Sequence, residues 1–261
     1  MARSSTLAQR ATMLAPHFTL MRPEGEGPFP VVILLHGCGG RRAFLDHWGE
    51  VIQRAGLAAL IVDSLRPRRI HRAEALATVC TGAQLQGRER AGDLYAVMDW
   101  TRRQAWADPN AIVAAGWSHG SWTILDALAL KPGAEMARAT GITDLPEEPL
   151  TGLAASFLFY PYAGVASLAG KRDWRLSPPS TAIVCGRDYM VGTATPRAAL
   201  ERQKARGAPI ELYMFETATH AFDEPGTYDI RTRYDPAMIA RAETLLLALF
   251  ARAGLIRERG G

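Results

Sequence analysis

An α/β fold, with one mostly parallel central sheet carrying helices on both faces, is what this sequence predicts. Three observations predict it. Short apolar runs alternate with stretches of helical spacing along most of the chain. The runs are continuous in apolar residues, as strands buried on both faces are, rather than alternating. Hydrophobic residues make up 48% of the 261 positions and charged residues 21%, enough to bury one sizeable core and unlike a disordered or fibrous chain.

The elements follow in order. Residues 17–21 read as an edge strand and 30–35 (PVVILL) as the first buried strand, with the glycine-rich run HGCGG at 36–40 directly after it. Helical spacing runs through Phe44, Leu45, Trp48, Val51 and Ile52 over 44–55. The second buried strand, 57–62 (LAALIV), ends at Asp63 and leads into a long basic loop over about 64–82. Residues 85–104 read as an amphipathic helix with Leu94, Tyr95, Val97 and Met98 on its inner side. A third strand, 111–117 (AIVAAGW), precedes an apolar helix over 121–130. The Gly-, Pro- and acid-rich stretch 131–150 reads as a surface excursion. A fourth strand covers 153–160 (LAASFLFY), and 161–179 has little regular pattern. A fifth strand at 181–185, a helix at 196–205, a sixth strand at 210–215 and a closing helix at 236–253 complete the series. No repeat or linker interrupts the alternation, so one domain is expected over 1–261, with flexible ends at 1–15 and 255–261.

Composition narrows the function classes. The formal net charge is +4, and the cations are scattered apart from one cluster of Arg66, Arg68, Arg69, His71 and Arg72. A nucleic-acid binder concentrates its cations in a stripe, so no nucleic-acid partner is expected. The three cysteines, Cys38, Cys80 and Cys185, are too few and odd in number for a secreted disulfide framework and fit a reducing, cytoplasmic compartment. The first residues lack the apolar stretch of a signal peptide, and no run reaches the ~20 apolar residues of a membrane span. No Cys/His spacing resembles a metal site, and no metal or cofactor is expected.

The chemistry concentrates in four loops, each placed after a predicted strand. Gly116-Trp117-Ser118-His119-Gly120 matches G-x-S-x-G, a strand-to-helix turn that lifts a serine above the sheet edge. Serine is a poor nucleophile without a base, and the base is expected after a later strand, in the chain order serine, acid, histidine. Cys185-Gly186-Arg187-Asp188 follows the fifth strand and Thr219-His220-Ala221-Phe222 the sixth. His220 is therefore the candidate base and Asp188 the acid that orients it, with Asp223 and Glu216 as reserve acids. His36-Gly37-Cys38-Gly39-Gly40 lies where the second half of an oxyanion hole belongs. The N–H groups of Cys38 and His119 are the candidate donors.

With these loops the sequence resembles the dienelactone hydrolase family of the α/β-hydrolase fold. The carriers are HGCGG, GWSHG, the GRD acid loop and THAFD, over about residues 30–222. The resemblance implies a Ser118–Asp188–His220 triad and hydrolysis of an ester or lactone without metal or cofactor. The enzymes that gave the family its name use a cysteine nucleophile and carry a carboxylate after the first strong strand. This chain has Ser118 and His36-Gly37 instead. Arg66, Arg68, Arg69 and Arg72 of the basic loop are candidates for binding an anionic substrate group, and Tyr160, Tyr162 and Trp174 for lining an acyl or alcohol pocket; Trp117, next to Ser118, is a further substrate-contact candidate that is expected to be buried beside the elbow. A peptidase or acyltransferase on the same triad, and a binding protein that keeps the fold without catalysis, are the competing expectations.

Overall fold

The computed structural model describes residues 4–226, 229 and 231–256. Among them the strands are β1 (Phe18–Met21), β2 (Phe29–Leu35), β3 (Ala58–Val62), β4 (Ala107–Trp117), β5 (Leu153–Phe159), β6 (Ser180–Arg187) and β7 (Ile210–Thr219). They form one sheet in the order β1-β3-β2-β4-β5-β6-β7, with β1 antiparallel to β3 and every other pair parallel. Leu35 pairs with Gly116, Trp117 with Phe159 and Arg187 with Thr219. The loops after β2, β4, β5, β6 and β7 therefore open on one edge of the sheet, where ligands of open α/β sheets bind.

The period-two alternation of the strands sorts the core into two layers. Val31, Ile33, Leu35, Ile112 and Ala114 face α4 (Gly87–Arg102) and α5 (His119–Ala129), packing with Leu94, Val97, Ile124 and Leu128. Val32, Leu34, Val113 and Ala115 face the other way, toward Trp48 and Ile52 of α2 (Phe44–Arg54) and Leu246, Leu249 and Phe250 of α8 (Pro236–Arg252). Each such fully buried aliphatic or Phe side chain contributes about 1.5–3 kcal/mol. The remaining helices are α1 (Leu7–Leu14), α3 (Arg72–Thr78), α6 (Ala134–Thr140) and α7 (Ala194–Ala205).

Four expectations need correction. Residues 4–15 of the expected flexible end are ordered, while 1–3 lie outside the described residues: Thr6 and Gln9 form a capping box for α1, whose Leu7, Ala11 and Leu14 are buried, and Ser5 bridges to Ile142. The missing signal was tertiary, because Arg10 of α1 finds its partner Asp93 in α4. The basic loop and the excursion at 131–150 each hold a short helix, α3 and α6. Of the expected flexible tail, Leu255 and Ile256 pack against the second core layer, and 257–261 lie outside the described residues. Finally, Cys38 and Cys80 form a disulfide with Cα atoms 5.0 Å apart, leaving Cys185 as a buried thiol. The cysteine argument for a reducing compartment falls with that bond. Among the described residues no helix is long and apolar enough to cross a membrane.

Candidate active site

Ser118 sits at the turn from β4 into α5 with φ 52° and ψ −107°, a backbone conformation rare for a residue with a side chain. The flanking glycines make it achievable. A Cβ on Gly116 would overlap the Gly120 backbone, and a Cβ on Gly120 would overlap the Leu35 carbonyl oxygen. The Ser118 N–H donates to Phe159 O at 2.9 Å, which fastens the turn to β5. The strain is held by packing on all sides, as strain at functional positions generally is.

His220 follows β7 directly and reaches back over the sheet edge. Its Nε2 lies 2.9 Å from Ser118 Oγ and its Nδ1 2.7 Å from Asp188 Oδ2. A carboxylate only accepts, so the proton sits on Nδ1, and Nε2 accepts from the serine hydroxyl. Asp188, in the loop after β6, keeps its other oxygen occupied: Oδ1 accepts from the N–H groups of Met190 and Val191, both at 3.0 Å. All three side chains are buried.

The reserve acid Asp223 is not free to serve His220. Its Oδ2 accepts from Trp117 Nε1 at 2.7 Å and Trp48 Nε1 at 2.8 Å, and its Oδ1 from Tyr160 OH at 2.6 Å. Burial raises its pKa, and these three donors oppose the rise. The Tyr160 ring lies 4.7 Å from the His220 ring, so the Asp223 cluster forms the floor under the imidazole. Glu216 sits on the exposed side of β7, away from this chain of contacts.

The opposite side of Ser118 is built from the loop after β2 and the start of α5. His119 is the first residue of α5, where an N–H has no intrahelical acceptor and the helix dipole favours negative charge. Among the described residues no protein group accepts from the Cys38 N–H. A Cβ on Gly37 would lie 3.7 Å from Ser118 Cβ, so the loop runs close beside Ser118.

Buried Arg90 of α4 ties these two pieces together. Its Nη1 donates to His36 O at 2.7 Å and approaches His119 Nδ1 at 3.3 Å, and its Nε donates to Ser64 Oγ at 2.9 Å. His36 donates from Nδ1 to Gly37 O at 2.6 Å and accepts at Nε2 from Ser64 N–H at 3.1 Å. Burial and then Arg90 push the His36 pKa well below its ordinary value, and push His119 down to about 3, so both rings are neutral. Burial lowers Arg90 to about 10, opposed chiefly by Asp93. Asp93 pairs with Arg68 at 2.6 Å and Arg10 at 2.9 Å; burial works against its charge, but the two guanidiniums outweigh it and hold its pKa down. Arg90, Asp93 and Cys80 are not candidates from sequence, and Arg68, a candidate for binding a substrate anion, pairs with Asp93 instead. A trace existed for two of them: Arg90 and Asp93 share the inner, apolar stripe of α4 with Leu94 and Val97, spaced i, i+3, i+4 and i+7.

The candidate substrate contacts scatter. Trp117 is buried, stacked on Phe159 at 4.4 Å and bonded to Asp223, so it serves the core and not a substrate pocket. Tyr160 is buried under His220. Tyr162 is half-buried against Trp122, with rings 4.7 Å apart, and Trp122 in turn lies 4.8 Å from the His119 ring. Arg66 is exposed. Arg69 lines a cavity of about 930 Å³ together with Arg10, Arg68, Gln84 and Leu85, and none of Ser118, Asp188 and His220 lines it. Among the described residues no group of three or more His, Cys, Asp or Glu could hold a metal ion.

A family model described as "Dienelactone hydrolase family" matches residues 17–254. Among solved structures, Thermogutta terrifontis esterase 2 phosphoramylated by tabun superposes with a TM-score of 0.68 at 16% identity, covering 93% of this chain and 91% of that one. The same esterase with propionate bound gives a TM-score of 0.68 at 17% identity, over 93% and 91%. A candidate dienelactone hydrolase from Klebsiella pneumoniae gives 0.67 at 17% identity, over 90% and 92%. At these identities the structural likeness speaks to the fold.

Proposed function

We propose that this chain, which belongs to the dienelactone hydrolase family, hydrolyses a small carboxylic ester or lactone through an acyl-enzyme intermediate on Ser118. Membership makes it a carboxylic ester hydrolase, and we propose the residues and the intermediate. The observation that carries this reading is the continuous chain from Ser118 Oγ to His220 Nε2 at 2.9 Å and from His220 Nδ1 to Asp188 at 2.7 Å.

The steps follow from that chain. Ser118 Oγ attacks the substrate carbonyl as its proton passes to His220 Nε2. Asp188 holds the imidazole with Nδ1–H facing it and stabilises the imidazolium that forms. The oxyanion of the tetrahedral intermediate is bound by the N–H groups of Cys38 and His119, each donor worth roughly 3 kcal/mol. His220 then hands the proton to the leaving alkoxide oxygen as the bond to the carbonyl carbon breaks. A water gives its proton to His220 and attacks the acyl carbon, and a second collapse returns the acid product and free Ser118.

Acid-quenched mass spectrometry during turnover of p-nitrophenyl acetate tests the intermediate. The expected result is an acetyl group on the peptide carrying Ser118, absent from Ser118→Ala. Hydrolysis that persists in Ser118→Ala at the wild-type rate sinks the reading.

A further inference from the structure

The loop that offers the Cys38 N–H has little intrinsic reason to hold its shape. Gly37, Gly39 and Gly40 surround Cys38, and Gly40 has φ +90°. Its hydrogen bonds are strong at one end only. Arg90 grips His36 O at 2.7 Å, whereas Gly40 N–H reaches Gly37 O at 3.3 Å and exposed Arg72 reaches Gly39 O at 3.4 Å. The firm hold on Cys38 is its side chain, bonded to Cys80, which is 42 residues away in the chain.

Cys80 stands in a hydrogen-bonded turn. Its N–H donates to Ala75 O at 2.9 Å, and Ala83 N–H returns to Thr78 O at 2.9 Å, so the turn after α3 is closed on itself. Leu65, Ile70, Ala75, Val79 and Leu85 form a separate apolar cluster beside this turn, with Cys38 packed against it, while Cys80 itself is exposed. The disulfide thus joins a glycine-rich, sparsely bonded loop to a hydrogen-bonded turn, at the residue whose N–H is assigned to the oxyanion.

We infer that Cys80 is a positioning residue of the hydrolytic site: through its disulfide it holds the Cys38 N–H where the oxyanion forms, so turnover depends on the oxidised pair. This rests on the reading of Cys38 as an oxyanion donor. A dithiol reductant supplies two electrons and two protons; the S–S bond breaks, Cys38 and Cys80 become thiols, and the reductant closes to its own cyclic disulfide. The freed loop then presents its N–H to the oxyanion for only part of the time. Because the oxyanion is absent from the bound ester and forms only in the tetrahedral intermediates and the transition states leading to them, kcat suffers and KM does not. A disulfide that merely staples the fold would lower thermal stability and leave the kcat of folded molecules alone.

The test uses the full-length protein and p-nitrophenyl acetate. The kcat and KM are measured oxidised, after dithiothreitol, after reoxidation, and for Cys80→Ser and Cys80→Ala, well below the thermal midpoint of each form. Fluorophosphonate titration run to completion counts active sites, so kcat refers to folded molecules only. On reduction, free thiols rise from the one of Cys185 to all three cysteines. The expected kcat falls about 10- to 100-fold, less than the ~100- to 1,000-fold of deleting a donor outright. KM stays within about twofold, since uniform binding is untouched. Affinity for an aryl boronic acid, which forms a tetrahedral adduct on the serine, falls in step with kcat. Reoxidation restores the wild type and neither variant. An unchanged kcat at full reduction, or a rise in KM alone, overturns the inference. Oxidised protein that is inactive and unlabelled by fluorophosphonate overturns the triad reading instead, so the two failures are distinct.

Discussion

The two sides of Ser118 are held by different physics. On the base side, His220 rests on an aromatic floor of Tyr160, Trp117 and Trp48, pinned by neutral donors to one buried carboxylate, Asp223. On the oxyanion side, the His36–Gly40 loop and the start of α5 hang from a buried guanidinium, two neutral histidines, an Arg–Asp–Arg cluster and a disulfide. The base side is therefore fixed by packing and hydrogen bonds. The oxyanion side depends on charge balance and oxidation state, so pH and reductant reach it first.

The largest expected effects separate the two carboxylates of the base side. Ser118→Ala and His220→Ala each lower kcat by about 10⁵- to 10⁶-fold with folding intact, because members of a triad act as a unit. Asp188→Asn lowers it by about 10⁴-fold by letting the imidazole take the wrong tautomer. Asp223→Asn does the reverse. It loses roughly 3 kcal/mol of stability, since two indoles and a phenol then face an amide, yet keeps kcat of the folded fraction within about tenfold. Steady-state kinetics beside urea unfolding checks the pair; similar kcat losses in both variants would erase the assigned roles.

An intermediate effect comes from the anchor of the oxyanion side. Arg90→Met strands His36 O and Ser64 Oγ in the core and frees His119 from its cationic neighbour. A stability loss of about 3 kcal/mol is expected, with kcat roughly tenfold lower, because the donors lose their common support. Unchanged kcat in the folded variant would place loop support elsewhere.

The pH dependence of stability is the next test. His36 and His119 have depressed pKa values in the fold, so the unfolded chain binds protons that the folded chain refuses. Their stabilisation is complete above the unfolded value of about 6.5 and is lost as pH falls toward about 3, at up to ~1.4 kcal/mol per pH unit for each group. Asp126, raised to about 7 chiefly by burial, works oppositely: its ionisation penalty is relieved as pH falls from about 7 toward 4. Asp223, whose pKa burial also raises, opposes the histidines in the same way toward the acid end. The two histidines against Asp126 leave one net proton, so stability declines by up to about 1.4 kcal/mol per pH unit below pH 6.5, less where Asp223 titrates, and Asp126→Asn steepens the decline. Urea midpoints across that range check it; a flat profile would contradict neutral, buried histidines.

The smallest effect belongs to Trp117→Phe. It removes one donor to Asp223 and keeps the stacking on Phe159, costing about 1–2 kcal/mol with KM unchanged within about twofold. A large KM change would return Trp117 to the substrate pocket.

Sequence legibility divides along the same line as the molecule. The strands carrying the loops were readable because each is apolar along most of its length, continuously in β2 and with single polar breaks such as Ser156 and Glu211 in β5 and β7, and Ser118, Asp188 and His220 because each sits in a short motif after such a run. The supports were not readable because their partners are remote. Arg90 meets His36 and His119 across 54 and 29 residues, and Asp223 meets Trp117 across 106. No local pattern encodes such contacts. Trp117 and Arg69 illustrate the converse: proximity in sequence to the elbow or to a basic loop says nothing about which side of a strand or loop a side chain takes. The helix α1 was lost for the same reason, since its capping box is local but its docking is not.

The most direct test of the central claim is to treat the oxidised protein with a fluorophosphonate and map the adduct by peptide mass spectrometry. The account predicts one adduct on Ser118, formed rapidly in wild type and Asp223→Asn, much more slowly in His220→Ala, and not at all in Ser118→Ala. Folded wild-type protein that takes no label, or takes it at another residue, would contradict it.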